Sequence, residues 1–249
     1  MENEEGGRAA LVTGAGAGLG RAIALALTRT GYRVGLADID GAALSLVAEE
    51  CGSGAVALPL DLRRQASVAA CCEEAAAALG PLDLLVNNAG VALHRPVVDL
   101  TWDEWDAVLD VNLKGAFFMS QHFGAALIAE GRRGAIVNIA SAHGIVALAD
   151  RSAYGISKAG VIHLTKMLAV EWARFGIRVN AVAPGTVMTP SREALLDDPA
   201  ARARMLGRIP LGRFPTSEEV AEAVLYLAGE RAASVTGHTL VLDGGTTVW

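Results

Sequence analysis

Aromatic residues make up only 5% of this 249-residue chain, although 52% of it is hydrophobic. A core with so few rings must be built from Ala, Val, Leu and Ile, which suits parallel strands covered by helices on both faces. The chain carries three cysteines, Cys51, Cys71 and Cys72. They have neither metal-ligand spacing nor an even disulfide framework, so they read as small buried residues of a reducing compartment. The formal net charge is −6, and the lack of a basic excess argues against nucleic acid or an anionic membrane surface as partner. No apolar run approaches the roughly 18 residues of a membrane span. The stretch Met1-Glu2-Asn3-Glu4-Glu5-Gly6-Gly7 is acidic and has no apolar core, so no signal peptide is expected and the location reads as cytoplasmic. The histidines His94, His122, His143, His163 and His238 are scattered, and no metal site is expected.

What is present alternates. Apolar runs at 9–13, 33–38, 55–60, 82–87, 135–140, 178–183 and 239–243 read as strands, and 18–30, 42–50, 65–79, 102–129, 153–175 and 217–227 as helices between them. Seven strands separated by helices predict an α/β fold with a doubly wound parallel sheet. The chain contains no linker rich in Pro, Ser or charge and no long repeat, so residues 1–249 read as a single domain.

Thr13-Gly14-Ala15-Gly16-Ala17-Gly18-Leu19-Gly20 follows the first strand and opens the first helix. Backbone N–H groups and the helix dipole can hold a pyrophosphate there, and glycine lets the chain come close to it. The spacing is G-x-x-x-G-x-G rather than the commoner G-x-G-x-x-G. The second strand ends in Asp38, whose carboxylate can accept hydrogen bonds from ribose hydroxyls but would repel a 2′-phosphate. Ala17 stands where a basic residue could meet that phosphate, so NAD is expected in preference to NADP. The competing reading is that Asp38 only caps the helix that follows.

A tyrosine and a lysine four residues apart, Tyr154 and Lys158, share one helix face, so the ammonium can sit near the phenol. Free tyrosine has a pKa of roughly 10, and a neighbouring cation favours the phenolate needed for proton exchange near neutral pH. Ser141 lies thirteen residues earlier, after the run 135–140, at a strand's carboxyl end where ligands of open α/β sheets bind.

Thr13 to Gly20, Asn87-Asn88-Ala89-Gly90, Asn112, Ser141, Tyr154 with Lys158, and Pro184-Gly185 together resemble the short-chain dehydrogenase/reductase family across essentially the whole chain. The resemblance implies a Rossmann-fold oxidoreductase that moves hydride between a nicotinamide and a carbon bearing oxygen. By the same resemblance Tyr154 is the general acid/base, and Ser141 bonds the substrate oxygen. Lys158 lowers the tyrosine pKa and binds the nicotinamide ribose, while Asn112 holds a water linking Lys158 to solvent. The implied cofactor contacts are Gly14, Gly18, Leu19, Gly20, Asp38, the adenine pair Asp61 and Leu62, Asn88, Ala89, Gly90, Tyr154, Lys158, Pro184, Gly185, Val187 and Thr189. Val187 and Thr189 orient the carboxamide, for which the family implies the pro-S hydride. Asn87 reads as structural, bridging strands. Ala140 departs from the pattern, standing where a second serine is frequent, and removes no reacting group.

Residues 187–211 have no partner in the sheet pattern and read as one or two short helices forming a substrate lid. The arginines of this stretch, Arg192, Arg202, Arg204 and Arg208, read as a solvated face rather than an anion site. The stretches 102–129 and 153–175 are too apolar for surface helices, which predicts a homo-oligomer, and the resemblance implies a tetramer. The leading functional reading is an NAD-dependent dehydrogenase of a sugar, polyol or similar small secondary alcohol. A 3-oxoacyl thioester reductase of the same family is the alternative, and a nucleotide-binding regulatory protein is the non-enzyme reading.

Overall fold

The computed structural model describes residues 7–189 and 198–248. Its centre is a seven-stranded parallel sheet in the order β3-β2-β1-β4-β5-β6-β7. The strands are β1 Ala9–Thr13, β2 Arg33–Asp38, β3 Ala55–Pro59, β4 Leu84–Asn87, β5 Gly134–Ile139, β6 Ile177–Pro184 and β7 Thr239–Leu242. Helices α1 (Gly18–Arg29), α2 (Gly41–Cys51) and α8 (Ser217–Ala228) cover one face. Helices α3 (Gln65–Leu79), α5 (Ala116–Glu130) and α6 (Ser152–Trp172) cover the other. Among the described residues, helices α4 (Trp102–Leu109) and α7 (Pro199–Leu206) complete the set. Leu36, Val86 and Val137 point into the first layer, and Leu11, Leu85 and Ile136 into the second. Strand residues buried on both faces therefore appear in the sequence as continuous apolar runs.

The expected fold class is found, with differences at the element ends. The fourth strand begins at Leu84 rather than Leu82, because Asp83 meets β1 partly through its side chain: Ala9 N donates to Asp83 Oδ2 at 2.9 Å. The predicted continuous helix over 102–129 is interrupted. A π-type turn, Asp110–Gly115, separates α4 from α5, and its extra residue directs the Asn112 side chain inward, where it is buried. Thr101 and Glu104 form a capping box that starts α4, and Thr216 and Glu219 do the same for α8.

Asn87 does bridge strands. Its Nδ2 donates to Asn138 Oδ1 on β5 at 2.8 Å and to Ser120 Oγ on α5 at 2.9 Å, and Asn138 Nδ2 continues to Thr165 Oγ1 on α6 at 2.9 Å. This polar chain ties β4, β5, α5 and α6 together beneath their carboxyl-end loops. Burial pushes the Cys71 and Cys72 thiols up to about 12, so they are inert packing groups. No described helix is long and apolar enough to cross a membrane. Among the described residues no three His, Cys, Asp or Glu side chains gather as metal ligands.

Candidate active site

The strand order reverses direction between β1 and β4, and a cavity of about 900 Å³ opens at their carboxyl ends. From the amino-terminal turn it is lined by Gly14, Gly18 and Leu19, and from the next two strand ends by Asp38, Asp61 and Leu62. Asn88, Ala89 and Gly90 line its floor, and Ser141, Tyr154, Lys158, Pro184, Gly185, Val187 and Thr189 its far end. Two of the expected residues, Gly20 and Asn112, stand behind this wall.

The turn is shaped by contacts that exclude side chains. Gly14 and Gly18 have φ of 66° and 53°, and a Cβ on Gly14 would lie 2.7 Å from Ala89 Cα. A Cβ on Gly20 would lie 1.9 Å from the Gly14 carbonyl oxygen. Asn88 Nδ2 donates to the carbonyls of Thr13 and Gly14 at 2.9 and 3.0 Å, and Thr13 Oγ1 accepts from the N–H groups of Asn88 and Ala89 at 3.0 and 3.1 Å. The loops after β1 and β4 are thus locked together. No side chain caps α1, so its first N–H groups are left for a ligand.

Asp38 faces the other end of the cavity. Its Oδ2 accepts from Gly16 N at 3.0 Å and its Oδ1 from Asp40 N at 3.1 Å. The cap of α2 is Asp40, which accepts from Ala42 N and Ala43 N at 3.1 Å each. The helix-cap reading of Asp38 is therefore corrected: the residue two positions on does that work, and Asp38 remains available to the cavity.

Tyr154 and Lys158 lie one turn apart on α6, with the ammonium 5.9 Å from the phenol ring centroid. Lys158 is buried, its Nζ donates to the Ile139 carbonyl at 2.7 Å, and burial pushes its pKa down to about 8. Ser141 follows β5 in extended backbone, and its Oγ accepts from His143 N at 3.2 Å. Asn112 Oδ1 accepts from Val91 N at 2.8 Å, and its Nδ2 donates to Val91 O at 3.0 Å and Ser157 Oγ at 2.9 Å. Gly90 packs closely against both Asn112 and Lys158: a Cβ there would lie 3.2 Å from Asn112 Oδ1 and 3.3 Å from Lys158 Nζ.

The family model described as enoyl-(acyl carrier protein) reductase matches residues 14–247. D-threitol dehydrogenase of Mycolicibacterium smegmatis is 40% identical over 245 residues, covering 97% of this chain and 94% of the relative. L-xylulose reductase of Bos taurus is 41% identical over 245 residues, 98% of each chain. A solved short-chain type dehydrogenase/reductase from Mycobacterium marinum superposes with a TM-score of 0.91 at 36% identity, covering 97% of this chain and 96% of that one. The chain belongs to the short-chain dehydrogenase/reductase family. It is an oxidoreductase of the alcohol/ketone type served by a nicotinamide dinucleotide.

Several site residues of this short-chain dehydrogenase/reductase were not singled out from the sequence. Arg63 lines the cavity and grips Asp61 through two bonds of 2.9 Å, Nε to Oδ1 and Nη2 to Oδ2, which holds the Asp61 carboxyl below the usual range. Ser157 Oγ donates to Tyr154 O at 2.7 Å while accepting from Asn112, a bond that a serine three residues after the tyrosine can make on a helix. The Thr13 hydroxyl, within the glycine turn, joins two loops. His143 sets its ring edge-to-face with Tyr154 at 6.2 Å between centroids. Of the lid, residues 190–197, including Arg192, lie outside the described residues. Arg202 stands over the Phe214 ring at 5.9 Å and Arg204 lies 4.0 Å from Asp198, and neither these two nor Arg208 lines the cavity.

Proposed function

We propose that this chain is an NAD(H)-dependent dehydrogenase/reductase of a small polyhydroxylated secondary alcohol, with Tyr154 as general acid/base. The observation that carries the reading is one cavity holding Tyr154, Ser141 and buried Lys158 at one end and the Asp38 carboxylate at the other. The cradle between them fits a dinucleotide. Gly14 and Gly20 admit no Cβ, the uncapped start of α1 suits a pyrophosphate, and the remaining lone pairs of Asp38 suit ribose hydroxyls. A 2′-phosphate would face that carboxylate with no basic residue at position 17, which favours NAD over NADP.

The roles follow from the contacts. Gly14, Gly18, Leu19 and Gly20 would hold the pyrophosphate, Asp61 and Leu62 the adenine, and Asn88, Ala89 and Gly90 the floor. Pro184, Gly185, Val187 and Thr189 would hold the nicotinamide end. When bound, the nicotinamide accepts or supplies the hydride. Tyr154 takes the alcohol proton during oxidation and returns it during reduction. The buried Lys158 charge stabilises the tyrosinate, and Ser141 donates a hydrogen bond to the substrate oxygen. Asn112 would hold a water that links the Lys158 ammonium to solvent, through which the proton leaves.

The substrate class is argued from charge and from the relatives. Among the described residues the cations lining the cavity are Arg63, paired with Asp61, and Lys158, buried beside Tyr154. A neutral polyol or ketose therefore suits it better than a carboxylate, in line with relatives named for threitol and xylulose. The 3-oxoacyl thioester reading draws on a relative named 3-oxoacyl-[acyl-carrier-protein] reductase, from Thermotoga maritima, 40% identical over 245 residues. The assembly is a cytoplasmic tetramer built on the exposed apolar residues Phe117, Phe118, Ile156, Met167 and Val170 of α5 and α6. The test is oxidation of polyols, sugars and hydroxy acids with NAD+ or NADP+, and reduction of ketoses and 3-oxoacyl thioesters with NADH or NADPH, for the wild type and for Tyr154→Phe. Expected are NAD-linked polyol turnover and a loss of about 10²–10⁴-fold in kcat with dinucleotide binding kept. Ordinary turnover by Tyr154→Phe refutes the proton route. Turnover of thioesters alone selects the alternative substrate, and none with any alcohol or ketone selects the regulatory protein.

A further inference from the structure

We infer that Gly144 is a positioning residue for the reaction: it seats the turn that carries Ser141 directly on the backbone of α6 at Lys158. Residues Ala142–Gly144 form a single 3-10 turn between the end of β5 and α6. Gly144 N donates to Ser141 O at 2.9 Å, and His143 N donates to Ser141 Oγ at 3.2 Å, so the turn and the serine move as one body. A Cβ on Gly144 would lie 2.7 Å from the Lys158 carbonyl carbon and 2.9 Å from both Lys158 O and Ala159 N. These are helix backbone atoms that cannot swing aside as a side chain would. From the opposite side, a Cβ on Gly155 would lie 3.1 Å from the His143 carbonyl oxygen. Gly155 and Lys158 share one helix face, so the two glycines interlock turn and helix next to Tyr154. The Lys158 ammonium closes the same unit by donating to Ile139 O at 2.7 Å, two residues before Ser141.

The consequence is geometric. Carbon atoms rest about 3.5–4.0 Å apart, so an alanine at 144 must push the turn off the helix by roughly 1 Å. A hydrogen-bonded helix inside a packed layer does not yield, so the displacement falls on the turn and on Ser141. The phenol of Tyr154 and the hydroxyl of Ser141 then no longer converge on one substrate oxygen. A misplacement of about 1 Å can cost roughly 10² in rate.

This inference rests on the roles proposed for Ser141 and Tyr154, and the test separates the two. Gly144→Ala, Ser141→Ala and the double variant are compared by kcat, KM and NADH binding, with Gly54→Ala, whose Cβ would have only Tyr32 O at 3.9 Å near it, as control. Expected is a loss of about 10²-fold in kcat for Gly144→Ala, with the NADH dissociation constant unchanged and Gly54→Ala at the wild-type rate. If Gly144 acts through the serine, Gly144→Ala costs nothing further in the Ser141→Ala background. Wild-type kcat for Gly144→Ala, or its full loss added on top of Ser141→Ala, overturns the inference. Should Gly144→Ala fail to bind NADH or to melt cooperatively, Gly155→Ala goes through the same cycle. A smaller kcat loss that vanishes without the Ser141 hydroxyl supports the inference, and wild-type kcat or an additive loss overturns it. A fully active Tyr154→Phe would remove the underlying reading whatever Gly144 does. An inactive Tyr154→Phe beside an unaffected Gly144→Ala removes this inference alone.

Discussion

Replacing Lys158 by Met separates what this side chain does for the reaction from what it costs the fold. Burial lowers its pKa from 10.5 to about 8, with the charged form disfavoured by loss of water. Between those values the unfolded chain holds a proton that the folded protein has released, so folding stability rises with pH across this window. Below about pH 8 both states are protonated and the penalty is present in full, at about 1.4 kcal/mol for every tenfold change in the ionisation equilibrium, or roughly 3 kcal/mol in all. Removing the lysine also takes the donor from Ile139 O, at a cost of about 1–3 kcal/mol that does not depend on pH. The difference between wild type and Lys158→Met therefore isolates the proton. Wild type should gain about 2–3 kcal/mol relative to the variant between about pH 7 and pH 10, while the variant loses turnover throughout. Urea unfolding of both proteins across that range, at one protein concentration because an oligomer's stability depends on it, reads the gain directly. Parallel stability curves would refute the argument, since they would mean that the ammonium reaches water in the folded protein.

Gly20→Ala should abolish NADH binding, because its methyl would sit 1.9 Å from the Gly14 carbonyl oxygen and the turn would have to open; an unchanged dissociation constant by calorimetry would sink the cradle argument. Val170 is 84% exposed on α6, and Val170→Glu should shift sedimentation toward smaller species; a wild type already monomeric at micromolar concentration would contradict the proposed assembly.

The alternation of apolar runs with helical periodicity was legible because strand and helix repeat within a few residues. Tyr154 and Lys158 could be paired for the same reason, as one helix turn separates them. Asn87 could be assigned a structural part, but the partners it takes, Asn138 and Ser120, are distant in the chain and only folding brings them together. The π-type turn at Asp110–Gly115 was not legible. Nothing in the run around Asn112 differs from an ordinary helix, and what stabilises the extra residue is the bonding of Asn112 to Val91 and Ser157. The choice of Asp40 over Asp38 as helix cap likewise depended on where β2 stops relative to the glycine turn.

Composition and periodicity alone determined the doubly wound sheet, the glycine turn at its first crossover and the tyrosine–lysine helix face, because each is written in spacings shorter than a helix. Tertiary structure decided that Thr13 and Asn88 lock two loops and that Gly144 rests on the Lys158 backbone. These are contacts between segments whose separation in the chain carries no information about distance. They exist only once the two helix layers have closed on the sheet and left no room for any other arrangement.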